Sequence, residues 1–161
     1  MKNLFEINPE IDRLELARRF LQNGRVQVRN VLTPQTAQEL LSILKQQTRW
    51  SMAIFSDENA VAEAKSFKSD DMMKTGGAER VNQAAASAEA LSAEGRYAFR
   101  YAHYPIVDAL NERWDPNGPH EILLEHLNAP EFLNLVREVT GIKELIRADA
   151  QATLFAANHV A

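Results

Sequence analysis

The chain has 161 residues, of which 45% are hydrophobic and 25% charged, with no cysteine and a net charge of −4. That is globular composition at a length that suits one domain with a sizeable core, and it excludes a disulfide framework, a thiolate nucleophile and a cysteine-held metal. Lysine and arginine are scattered, which argues against a nucleic-acid surface. No apolar run approaches the roughly 20 residues that cross a bilayer, and Met1–Glu6 lacks the core of a secretory signal, so a cytoplasmic protein without membrane contact is expected.

In chain order, Leu14, Ala17 and Leu21, flanked by Phe20, recur at helical spacing and predict an amphipathic helix over Ile11–Asn23, with Gly24 as its left-handed stop. Val26 and Val28 alternate with Gln27 and Arg29, the signature of a half-buried strand ending at Leu32. Thr33-Pro34 supplies a cap oxygen and a first-turn proline to a second helix whose buried stripe is read as Ala37, Leu40, Leu41 and Leu44. Trp50–Phe55 reads as a strand, ended by Ser56-Asp57-Glu58-Asn59, and residues 60–77 as an exposed connection.

The alanine-rich stretch from Ala78 to Ala93 predicts a helix capped near Gly95. Arg96–Tyr104 then alternates Tyr97, Phe99, Tyr101 and His103 against small or charged residues, placing four rings on one face of a strand. A short helix within Ile106–Trp114, a fixed turn at Asp115–Pro119, and helices over His120–Leu127 and Pro130–Thr140 follow, the last burying Phe132, Leu133, Val136 and Val139 before Gly141. Leu145–Ala148 and Ala150–Phe155 read as extended, the pleat setting Gln151, Thr153 and Phe155 against Ala152 and Leu154. The order of elements is α+β and does not fit a regular βαβ array with a nucleotide crevice.

Four histidines, His103, His120, His126 and His159, raise the question of a metal. His120 and His126 are six positions apart on one helix, about 120° around its axis, so they do not converge on one ion as residues four apart do. His103 reads as a structural ring with a hydrogen-bonded tip, and Glu121 with Glu125 as a solvated acidic edge. Gly76-Gly77 could offer amides to an anion, but no phosphate-loop lysine or dinucleotide fingerprint accompanies it, and a hinge is the simpler reading.

The stretch Thr140-Gly141-Ile142…Leu145…Asp149-Ala150-Gln151-Ala152-Thr153-Leu154-Phe155-Ala156-Ala157-Asn158-His159 resembles the bacterial prolyl-hydroxylase-like branch of the Fe(II)/2-oxoglutarate-dependent oxygenases. Ile7-Asn8-Pro9, the step Val26–Leu44, Trp50 and the aromatic strand ending Tyr104-Pro105 are similar to the region those proteins place before their double-stranded β-helix, so the likeness covers nearly the whole chain. The resemblance implies helices packed on the first strands of an incomplete, jelly-roll-like double-stranded β-helix, in a single domain over residues 1–161 that is the amino-terminal part of a longer oxygenase domain. It implies Fe(II) and 2-oxoglutarate as cofactor and cosubstrate of the intact enzyme, a prolyl or similar peptidyl substrate, and Gln151, Thr153 and Phe155 as a wall of the cosubstrate pocket.

In that family a His-x-Asp pair and a distant second histidine hold the iron and leave positions open for 2-oxoglutarate and oxygen. No His-x-Asp occurs in Met1–Ala161, and the alignment sets the first metal ligand a few residues after His159, so this polypeptide alone is expected to be inactive and to bind neither iron nor cosubstrate. Phe155 stands where relatives often carry tyrosine, and Ala157 lies in a turn that is usually glycine-rich. A second reading of the same residues is a non-catalytic α+β module whose contact surface is the Tyr97–His103 face.

Overall fold

The structure is a computed structural model that describes residues 4–56 and 63–155. Among them, in chain order, are α1 (Arg13–Asn23), α2 (Pro34–Gln46), β1 (Ser51–Ser56), β2 (Glu63–Phe67), α3 (Ser69–Met73), α4 (Gly77–Ala93), β3 (Phe99–Pro105), α5 (Ile106–Asn111), α6 (Pro119–Leu127), α7 (Pro130–Thr140) and β4 (Gln151–Leu154). The fold is therefore α+β, with seven helices and a four-stranded antiparallel sheet. It divides into two compact units interleaved in sequence: Met1–Gln47 with Ile106–Ala150, and Thr48–Pro105 with Gln151–Ala161. No helix among the described residues is long and apolar enough to cross a membrane.

The first unit is helical. Asp12 caps α1 by accepting the Glu15 N–H at 2.9 Å, and Gly24, at φ 66°, ends it by donating its N–H to the Phe20 carbonyl. Leu14 and Leu21, which the periodicity sets on the buried stripe, are instead 85% and 87% exposed. The helix lies against α7 along its other side, where Arg13 Nη1 meets Glu138 Oε2 at 2.8 Å. Thr33 and Pro34 start α2 as the sequence indicates, but its stripe is rotated: Thr36 and Ile43 are buried, while Ala37 and Leu41 face solvent.

The expected strand over Val26–Leu32 does not form. Asn30 takes a left-handed φ of 52°, which turns the chain, and Leu32 pairs only as an isolated bridge with Ile7; an alternating pattern needs a neighbouring strand to become a ladder. Leu145–Ala148 is likewise not a strand. Its backbone is held by side chains of the helices: Asn128 exchanges two hydrogen bonds with Ala148, at 2.9 and 3.1 Å, and Arg137 Nε donates to the Leu145 carbonyl at 2.8 Å. On α7, Leu133, Leu135 and Val139 are buried, and Gly141 at φ 75° ends the helix.

The second unit is the sheet, in strand order β2-β1-β3-β4, with α4 on one face. Ile54, fully buried, packs on Ala84, Ala85 and Ala88 of α4, and Met52, Phe67, Val81 and Ala98 close around them. Alanines at helical spacing let the helix axis approach the sheet closely, so low side-chain volume on α4 is matched by bulk on the strands. Gly77 at the start of α4 is equally tight, since a Cβ there would run into the Asp71 and Met72 carbonyls. That junction is filled rather than hinge-like. The exposed connection expected over 60–77 is corrected too: residues 60–62 lie outside the described residues, and the remainder contains β2 and α3. Its charges masked a strand whose partner, β1, supplies the hydrogen bonds.

Candidate functional site

The register of the sheet decides which side chains share the face opposite α4. Pairing of Ser51 with His103, Ala53 with Tyr101 and Phe55 with Phe99 aligns β1 and β3, Ala53 with Ser66 adds β2, and His103 with Thr153 and Pro105 with Gln151 add β4. Because side chains alternate along a strand, one face carries Ser51, Ala53, Phe55, Ser66, Phe99, Tyr101, His103, Gln151 and Thr153. Phe155 joins it just past β4, its ring 5.3 Å from that of Tyr101.

The rings form a continuous series. Phe55 contacts Tyr97 and Phe99 at 5.3 and 5.4 Å, Phe99 contacts Tyr101 at 5.3 Å, and Tyr101 meets His103 edge-on at 5.8 Å. These are the separations of favourable offset and T-shaped ring pairs. The series is open at one end, where Tyr97 is 73% and Phe155 60% exposed, and closed at the other, where Ser51 and His103 are buried.

The closed end is polar. His103 Nε2 is hydrogen-bonded to Ser66 Oγ at 3.0 Å, reaching from β3 across β1 to β2. Two strand spacings amount to about 9.6 Å, and the small side chains of Ser51 and Ala53 on the strand between leave the imidazole room to cross. The hydrogen-bonded tip expected for His103 is present. Ser51 Oγ is fully buried and has no hydrogen-bond partner among the described residues, an arrangement that costs about 1–3 kcal/mol and so calls for an explanation. Sequence reasoning missed both serines; the alternation of each strand was visible, but which strands are neighbours was not.

The other histidines stand apart. His120 is buried at the start of α6, and burial draws its pKa below the ordinary 6.5, partly offset by the Asp115 carboxylate. His126 stacks on Phe5, with ring centroids 6.4 Å apart and planes at 16°. His159, Ala157 and Asp57-Glu58-Asn59 lie outside the described residues. Glu121 is engaged in the preceding turn, where its Oε2 accepts the Asn117 N–H at 2.7 Å, while Glu125 is exposed. Among the described residues no group of three His, Asp or Glu side chains is placed to hold a metal ion. Those residues therefore do not supply a donor set that fits Fe(II).

The helical unit carries a separate open cleft of about 710 Å³ between α2 and the turn before α6, with Leu4, Ile43 and Ile122 as its apolar lining and Gln38, Ser42 and Asn117 among its polar groups. None of the site residues read from the sequence lies there. Comparison with protein-family models, curated proteins and solved structures gives no match for this chain.

Proposed function

We propose that this chain is the amino-terminal portion of an Fe(II)/2-oxoglutarate-dependent dioxygenase of the prolyl-hydroxylase-like kind, supplying supporting helices and the first strands of its double-stranded β-helix. The observation that carries the reading is the register of β4: it sets Gln151, Thr153 and, through the ring contact to Tyr101, Phe155 on one face beside His103. A pocket for a small dicarboxylate is built from hydrogen-bonding groups against an apolar wall. Gln151 and Thr153 supply the former here, and Phe155 with Tyr101 the latter. The sequence likeness of Asp149–His159 to the approach to the iron motif supports the same assignment.

In this reading the residues present bind and orient, and metal chemistry belongs to a His-x-Asp pair beyond Ala161. The test lies in the gene. Translation of the coding DNA that follows Ala161, in all three frames, is expected to give His-x-Asp within a few residues and a second histidine downstream; unrelated DNA there rejects the proposal. On the protein itself, Fe(II), ascorbate and 2-oxoglutarate are expected to yield no succinate, and measurable turnover would show that the metal ligands have been misplaced.

The openness of Tyr97 and Phe155 favours a second reading, a binding module that uses the ring face as its contact surface. The two are separated by the same translation, because a self-sufficient module requires no iron motif downstream.

A further inference from the structure

Two hydroxyls lie within reach of the imidazole of His103, and the ring is bonded to the accessible one. Ser51 is its register partner on the neighbouring strand, yet Ser51 Oγ is buried without a hydrogen-bond partner among the described residues. Ser66 lies a strand further off, and its Oγ is 3.0 Å from His103 Nε2. Satisfying a buried ring would be served as well by the nearer serine, without leaving that hydroxyl orphaned at a cost of about 1–3 kcal/mol. Ser66 differs from Ser51 in access: it is exposed, on the edge strand β2, whereas His103 behind it is only 8% exposed. Phe67, the next residue, packs against the Ile54 core on the other face of the sheet, so Ser66 stands on an anchored strand.

We propose that Ser66 and His103 form a nucleophile and general-base pair that hydrolyses neutral esters. Their separation is that of an activated serine and its base. With the ring proton on Nδ1, Nε2 accepts the Ser66 proton while Oγ bonds to the acyl carbon of the ester. Collapse of the adduct breaks the bond to the alcohol oxygen, which leaves with the proton held on Nε2. Water then attacks the acyl-serine, giving its proton to Nε2, and that proton returns to Ser66 Oγ as the carboxylic acid departs. Outward N–H groups of β2 lie outside the ladder of the sheet, as on any edge strand, and are the donors for the oxyanion of the adduct.

The surroundings define the ester. Tyr101 meets the imidazole edge-on at 5.8 Å and Phe99 follows at 5.3 Å, an apolar wall for the acyl chain. The register sets no Asp, Glu, Lys or Arg on this face of the four strands, so neither a carboxylate nor an ammonium on the substrate finds a counter-charge there. A neutral ester with an apolar acyl group is the fitting class. Every group involved belongs to the sheet, and the chemistry does not rest on the oxygenase reading.

The full chain is tested with a fluorophosphonate, which phosphonylates an activated serine with loss of fluoride, and with 4-nitrophenyl butyrate as substrate. A single label mapped to Ser66 by peptide mass spectrometry is expected, together with release of 4-nitrophenol above the buffer rate. Ser66→Ala is expected to abolish both, and His103→Gln to lower both rates by about 100-fold or more, with circular dichroism spectra unchanged. An unlabelled Ser66, hydrolysis that survives Ser66→Ala, or a folded His103→Gln chain at full rate overturns the assignment. Because Ser66 is exposed, Ser66→Ala decides the matter even where a change at buried His103 disturbs the fold.

Discussion

Burying His120 makes the helical unit sensitive to acid. The folded state holds its imidazole below the ordinary pKa of 6.5 because the charged form is desolvated there, while the unfolded chain titrates normally. Above that ordinary value both states are neutral and nothing is lost. As the pH falls below it the unfolded state takes up the proton first, so stability declines toward the lower folded pKa, by at most about 1.4 kcal/mol per pH unit for one group. His120→Phe, which keeps a ring but no titration, is expected to flatten urea stability between neutral and mildly acidic pH; an unchanged slope would clear His120 of the effect. Asn128 acts through the hydrogen bonds of its amide, one of them to the Leu124 carbonyl of its own helix. Its amide satisfies both the N–H and the C=O of Ala148, and Asn128→Ala is expected to cost about 1–3 kcal/mol, with Asn128→Asp, which keeps only the acceptor, falling between. Equal stability of the three chains in denaturant would show that the 145–148 segment is held by other means.

At the scale of elements, what the sequence disclosed depended on whether the signal was local. Thr33-Pro34, Gly24 and Gly141 mark helix ends through their own backbone chemistry, and all three do so in the structure. The ring-bearing face of β3 also follows from alternation within a single segment, and the ring contacts realise it. The failures were relational. Val26–Leu32 had the pattern of a strand but no neighbour to pair with, and residues 63–67 had the neighbour without the pattern. Which side of α1 is buried was fixed by α7, over a hundred residues away, not by the leucines. The same distinction applies to the site: Gln151, Thr153 and Phe155 could be placed on one side of a strand, but their meeting with His103, Ser51 and Ser66 required the sheet order. Gly77 is another residue whose role only the tertiary structure reveals. Its αR-helical position tolerates any side chain locally, yet a Cβ meets backbone carbonyls of Asp71 and Met72 that no rotamer change can move. Gly77→Ala is accordingly expected to destabilise by about 1–3 kcal/mol through overpacking, although alanine is the better helix former; a stabilised variant in thermal melts would mean that α3 yields freely.

For the molecule as a whole, the path of the chain makes the sheet depend on its last strand. The chain leaves the sheet at Pro105, builds α5 to α7, and returns at Gln151 to pair along β3. A polypeptide ending at Ala150 would keep every helix but expose the β3 edge from Ala102 to Pro105 and remove Phe155 from the Tyr101 ring. The ring contact accounts for about 0.5–1.5 kcal/mol, and the lost ladder and burial bring the total to about 2–3 kcal/mol, equivalent to a melting point lower by roughly 5–10 °C in a protein of this size. An open edge beside exposed aromatic rings is also a template for pairing with other chains. The shortened protein is therefore expected to bind a hydrophobic dye and to aggregate on mild heating. Phe155→Ala separates the contributions, since it removes the ring and leaves the ladder: it should show about a third of the loss in melting point without the aggregation. If the shortened chain instead melts like the full one and stays dispersed, β4 contributes nothing to the cohesion of the sheet, and the face shared by Thr153 and His103 loses the physical basis on which the proposed pocket rests.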